Sequence, residues 1–198
     1  MAPEIIDLTC PGCGAPVSTQ YKECDCCGRP LVIQTFKTLI DLDGPIAVKY
    51  VNEYRKILQQ DPYNPEINKS MGLAQLKLGL YDDASNLLDK ATVYCPNDSD
   101  ALFFSSLPRL KGKKPVLAKR SEIDVMIQKI NAAILVEPKA IYEYMLAVIK
   151  SDYFYKKGFN IQPDYNDHFE RSLQLGLSDT DVDELDTILG IKTRDLFP

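Results

Sequence analysis

The chain has 198 residues, of which 45% are hydrophobic and 26% charged, the balance of a folded globular protein and not of a disordered one. Its formal charge of −5, from 23 Lys+Arg against 28 Asp+Glu, argues against general coating of nucleic acid. No apolar run approaches the roughly 18 residues that span a bilayer, so no membrane insertion is expected. The opening MAPEIIDLTC lacks a basic stretch followed by an apolar one, so no export signal is read there and a cytoplasmic protein is expected. A single histidine, His168, excludes His-rich metal catalysis and leaves little room for a Ser-His or Cys-His machine.

Five of the six cysteines fall in the first 27 residues: Cys10, Cys13, Cys24, Cys26 and Cys27. Without an export signal, clustered thiols read as metal ligands before disulfides or free thiols. The segment runs Cys10-Pro-Gly-Cys13-Gly, a spacer, then Cys24-Asp-Cys26-Cys27-Gly. Two such pairs suit one tetrahedral ion, each forming a tight knuckle. Gly14 and Gly28 permit the positive φ that turns amide N–H groups toward the sulfurs. Cys10, Cys13, Cys24 and Cys27 are the expected ligands of one structural Zn²⁺. Four thiolates leave no position for a water nucleophile. Cys26 is an extra thiol, either a bystander open to oxidation or a substitute for Cys24 or Cys27.

Over residues 8–33 this segment resembles the short zinc-ribbon family, with Pro11, Gly14, Gly28 and the apolar Leu31, Val32 and Ile33 in place. About 25 residues bury too little apolar surface to fold unaided. Metal binding is therefore expected to supply on the order of 10 kcal/mol. Its loss is expected to unfold residues 1–36 and leave the helical remainder intact.

From Phe36 onward the apolar residues recur at three and four, the period of helices. Leu73, Leu76 and Leu80 follow one face, and Leu87, Leu88, Ala91 and Val93 the next. The turn between them lies at residues 78–83, and Pro96 stops the second helix. Residues 45–61 read as a preceding helix carrying Tyr54 and Ile57. Further helices are expected at 99–107, 121–136 (with Met126, Ile130 and Ala133), 140–155, 164–175 and 178–189. Ser178, three residues before Asp181, is the expected N-cap of the last.

Residues 65–98 resemble a tetratricopeptide repeat, with Gly72, Gly79, Tyr81, Ala84, Leu88, Ala91 and Pro96 at the positions that family uses and Asn68 at its Trp-like position. The resemblance implies a mainly α fold, an α-solenoid of tetratricopeptide-like helical hairpins with a small N-terminal four-cysteine zinc ribbon, since one repeat cannot cover its own apolar face. A plain helical bundle is the alternative. The expected domains are residues 1–36 and 37–198, joined by a connection at 34–44. The resemblance also implies protein binding along a concave face, where Lys69, Leu73, Leu76 and Lys77 fall, followed by Phe103, Leu107, Tyr142, Met145 and Ile149. The family's carboxylate clamp is not carried over, because Leu73 stands at its Asn position. Packing between adjacent repeats is the other reading of these apolar side chains.

Charge is uneven along the chain. Residues 103–121 hold Arg109, Lys111, Lys113, Lys114, Lys119 and Arg120 with no acid, whereas 164–198 hold nine acids against three bases. The basic stretch reads as a loop, because Gly112 and Pro115 interrupt any helix. It is either a solvated connection or a dock for an acidic partner, a nucleic acid or the acidic segment of a second copy. Tyr142, Tyr144, Tyr153, Phe154, Tyr155 and Phe159 read as packing residues or as a recognition patch. His168 reads as a helix-surface residue, and Cys95, beside Pro96, as a structural thiol. The motifs that carry chemistry are missing, so the chain reads as a non-enzymatic adaptor or scaffold with a protein partner. A nucleic-acid-associated regulator using the ribbon and the 109–120 loop is the alternative.

Overall fold

The computed structural model describes residues 7–18 and 21–198, so most of the segment read for an export signal lies outside the described residues. The chain divides into two compact units, Met1–Tyr94 and Cys95–Pro198. The expected boundary at residue 36 marks a change of local architecture inside the first unit.

That unit opens with two short antiparallel strands, β1 (Asp7–Thr9) and β2 (Pro16–Ser18), with Leu8 opposite Val17. Helices α1 (Phe36–Ile40), α2 (Gly44–Gln60), α3 (Pro65–Lys77) and α4 (Tyr81–Tyr94) follow. Their starts have local causes. The Asp43 carboxylate accepts from Ile46 N at 2.7 Å ahead of α2, and the Asn64 side chain accepts from Ile67 N at 3.0 Å ahead of α3. Pro45 and Pro65 sit in the first turns, where no donor is missed.

Helices α3 and α4 form the hairpin expected at residues 65–98. Gly79 makes the turn at φ +72°, and α4 ends two residues before Pro96. A Cβ on Gly72 would stand 2.7 Å from Leu88 Cγ and 3.3 Å from Ala84 O, so the small residue is what lets the helices close. Two positions depart from the expected faces. Helix α3 stops at Lys77, which leaves Leu80 in the turn and 46% exposed, and Val93 near the end of α4 is 74% exposed.

The connection expected at 34–44 is not free. Phe36 and Leu39 of α1 are buried, and the strap before them is hydrogen-bonded into the helices. Tyr54 O–H donates to Leu31 O at 2.9 Å, and Tyr50 O–H donates to Pro30 O. Ile33 N donates to Ser70 Oγ, whose hydroxyl returns a bond to Ile33 O, both at 3.1 Å. On β1, Thr9 N donates to Glu53 Oε2 at 3.2 Å. The segment before α1 therefore rests on α2 and α3.

The second unit contains α5 (Ser99–Phe104), 3-10 turns at Leu107–Leu110 and Pro115–Leu117, α6 (Arg120–Val136) and α7 (Ala140–Ile149). It continues with α8 (Tyr165–Gln174) and α9 (Asp179–Leu189). Helices α5 and α6 pack together, as do α7 and α8. Met126, Ile130 and Ala133 are fully buried on α6, as the period demanded. Ser178 caps α9 through a reciprocal pair with Asp181, and Asp164 caps α8 in the same way with Asp167. The helix expected at 140–155 gives way after Ile149 to a π-helical segment, Lys150–Phe154, and then a 3-10 turn, Tyr155–Lys157. Arg120, counted with the basic loop, begins α6.

His168 is not on the surface. It is 5% exposed on the inner side of α8, and its Nδ1 lies 2.6 Å from Glu143 Oε2 on α7. Burial lowers the imidazole pKa, outweighing the Glu143 carboxylate that raises it. A histidine held neutral in the fold takes up its proton on unfolding. Stability is therefore fully present above about pH 6.5 and is lost as pH falls from there toward the lowered folded value. The urea midpoint should fall between about pH 7.5 and about pH 5.5, and His168→Gln should reduce that fall. Gly72→Ala should lower stability by about 1–2 kcal/mol, because contact with buried Leu88 outweighs the gain in helix propensity. Equilibrium urea unfolding of the variant checks it.

Candidate metal centre

The two knuckles are built alike. In the first, Cys10 N donates to Ala15 O at 2.8 Å and Gly14 N to Cys10 O at 2.9 Å. In the second, Cys24 N donates to Arg29 O at 2.8 Å and Gly28 N to Cys24 O at 2.7 Å. Gly14 and Gly28 take φ of +78° and +68°, the left-handed conformation that the paired glycines promised. Strands β1 and β2 bring the first knuckle together, and a single bridge between Glu23 and Pro30 closes the second.

The sulfurs of Cys10, Cys13, Cys24 and Cys27 all lie within 4.8 Å of one another. Cys10 Sγ is 3.6 Å from Cys27 Sγ, and Cys13 Sγ is 3.8 Å from Cys24 Sγ. A tetrahedral ion with metal–sulfur bonds of about 2.3 Å needs sulfurs about 3.8 Å apart, so the four residues fit such an ion. Cys10 and Cys24 are buried against Leu31, with Ala15 and Val17 packed around them, whereas Cys13 and Cys27 face outward.

The thiols respond to each other. The backbone hydrogen bond from Ala15 holds Cys13 below the ordinary thiol value. The matching bond from Arg29 pulls Cys27 down as well, but desolvation and the neighbouring thiols prevail and push it up to about 12. Cys26 is exposed and raised, chiefly by its hydrogen bond with Cys13, and is not one of the four sulfurs that converge. None of the six cysteines forms a disulfide.

The residues expected to line a groove sit differently. On α3, Lys69, Leu73 and Leu76 are buried, and half-buried Lys77 donates through Nζ to Ile40 O at 3.3 Å. The strap and α1 cover this side of α3. In the second unit Phe103, Tyr142 and Met145 are at most 1% exposed. Phe103 stacks on Tyr142 at 4.5 Å, and Tyr142 O–H donates to Asp100 Oδ1 at 2.5 Å. These side chains are covered by the chain's own helices. Of the aromatic group, Tyr142, Tyr144, Tyr153 and Phe154 are buried, while Tyr155 and Phe159 are exposed. Sequence reasoning missed the strap contacts and the Glu143–His168 pair. Tyr50 and Tyr54, one helical turn apart, were the available signal, since buried phenols need acceptors.

Both units are mainly α, with α3 and α4 paired as a hairpin in the first and α7 packed on α8 in the second, and four cysteines converge near the N-terminal end. Among solved structures, the crystal structure of MamA is similar in fold, with a TM-score of 0.56 and 17% sequence identity over 77% of this chain and 85% of that one. No protein-family model matches the chain, and no curated protein matches it in sequence. No helix among the described residues is long and apolar enough to cross a membrane.

Proposed function

We propose that the protein is a non-enzymatic adaptor that binds other proteins, with residues 1–36 forming a ribbon around one structural Zn²⁺ and 37–198 a helical repeat domain. The observation that carries the metal assignment is the convergence of four thiols within 4.8 Å. When bound, the ion supplies positive charge that holds four thiolates together and closes its own coordination sphere, so it acts as a fastener and offers no open position for a nucleophile. Cys10, Cys13, Cys24 and Cys27 would hold it. Thiolate ligation fits a reducing compartment, in keeping with a cytoplasmic protein.

The helical hairpins support protein binding, because repeat arrays of this kind expose long surfaces without needing reactive groups. Because Leu73, Phe103 and their neighbours are buried, our reading puts the partner on the exposed parts of the helices. Purified protein should carry one zinc per chain by elemental analysis. Cys13→Ser should abolish it, and Cys26→Ser should leave it in place. A strong chelator should also lower the thermal midpoint of the helical signal, because Tyr50, Tyr54 and Ser70 bond to the strap that follows the second knuckle. Metal-free protein with an unchanged melting curve would overturn the metal assignment. Substrate turnover abolished by a single substitution would overturn the adaptor role.

A further inference from the structure

The second unit carries a pocket of about 350 Å³ beside the π-helical segment, lined by Lys150, Phe154, Tyr155, Phe159, Asp164 and Tyr165. Its aromatic walls are braced in pairs. Tyr155 meets Tyr165 edge-on at 5.2 Å, and Phe154 meets Phe159 edge-on at 6.3 Å. Tyr155 and Phe159 are nonetheless 54% and 51% exposed, large apolar rings left at the mouth. Lys150 is 8% exposed, and its one side-chain hydrogen bond among the described residues goes to Pro163 O. Burial lowers the pKa of this ammonium, although Asp167, Asp164 and Glu143 set their negative charge toward it. Lys150 thus places a cation in the pocket wall beside Asp164.

The basic loop lies against this same segment. Asp152, 1% exposed within the π-helical turn, accepts from Val116 N at 2.8 Å through one oxygen and from Lys156 Nζ at 2.7 Å through the other. Arg120 places its guanidinium 4.9 Å over the ring of Phe154, a wall of the pocket. Lys157 Nζ lies 3.6 Å over Tyr153. Lys113, Lys114 and Lys119 are exposed and make no ion pair among the described residues. Of these cations Arg120 touches a wall of the pocket, and it also pairs with Asp124 at 2.8 Å.

We propose that this unit docks an acidic peptide segment built around one aromatic or large aliphatic residue. The apolar side chain enters between Tyr155, Phe159 and Tyr165, Lys150 donates to a main-chain carbonyl beside it, and the flanking carboxylates meet Lys114, Lys119, Arg120 and Lys157. The inference rests on the adaptor role and names the chemistry of its partner. A nucleic acid fits less well. Asp164 stands in the pocket wall, and 164–198 hold nine acids against three bases, which repel a long polyanion but not a short peptide whose charge stays on the loop side.

The test uses the full chain, immobilised, to select from a display library of random short peptides. Selected peptides should carry Asp or Glu around a single Phe, Tyr, Trp or Leu. A synthetic copy, followed by fluorescence anisotropy, should bind Tyr155→Ser/Phe159→Ala at least about tenfold more weakly, the loss typical of an interface anchor. The variant Lys114→Glu/Lys119→Glu should weaken binding and flatten its dependence on salt. Both variants alter exposed side chains, and circular dichroism confirms that the helices persist. Failure to enrich acidic peptides would overturn the proposal, as would tighter binding of an oligouridylate of equal length. Peptides bound equally by the wild type and both variants would overturn this site while leaving the adaptor role standing.

Discussion

The structure of the first unit depends on how a short strap satisfies two buried phenols. Tyr50 and Tyr54 lie on the inner side of α2, where desolvation raises both well above the ordinary tyrosine value and keeps them protonated donors. Their hydroxyls need acceptors, and Pro30 O and Leu31 O supply them. Ser70 on α3 closes the same arrangement from the other side by bonding both the N–H and the C=O of Ile33. Main-chain groups that a loop would normally offer to water are here spent on helices. The strap begins at the second knuckle, so the geometry of the four-cysteine cluster and the seating of the first helices are one problem with one solution.

Much of this was legible in the sequence where the cause is local. The spacing of Cys10, Cys13, Cys24 and Cys27 with Gly14 and Gly28 announces a four-sulfur centre, because knuckle geometry follows from the residues between the thiols. The α3–α4 hairpin was equally readable, since Gly72, Gly79 and Pro96 each act within a few residues of themselves. Ser178 caps its helix for the same reason. What failed was long-range. His168 has a helix-surface neighbourhood in sequence, and only the arrival of Glu143 from α7 makes its burial possible. Leu73, Phe103 and Tyr142 carry the repeat pattern, but the pattern does not say whether a partner or the chain's own strap and helices will cover them.

The second unit departs from regular hairpins where α7 gives way to π geometry. There Lys150, Ser151 and Asp152 all turn inward, each meeting a group from a distant part of the unit: Pro163 O, Leu196 O and Val116 N. Such segments widen the turn by one residue and occur mostly where a protein needs an unusual side-chain direction. In this chain the segment Lys150–Phe154 gathers the residue before the cap of α8, the C-terminal residues and the 3-10 turn at Pro115–Leu117 onto a few consecutive positions.

The seating of Ile33 has a practical consequence for anyone dissecting this molecule. Ile33 and Leu39 are fully enclosed, and Ser70, Leu73 and Ala74 of α3 are fully enclosed with them. A fragment cut at residue 37 would take away the lid, strip two phenols of their acceptors and open an oily strip along α3. Such a piece would tend to stick to itself in the test tube, and that stickiness would say nothing about what the intact molecule prefers to hold.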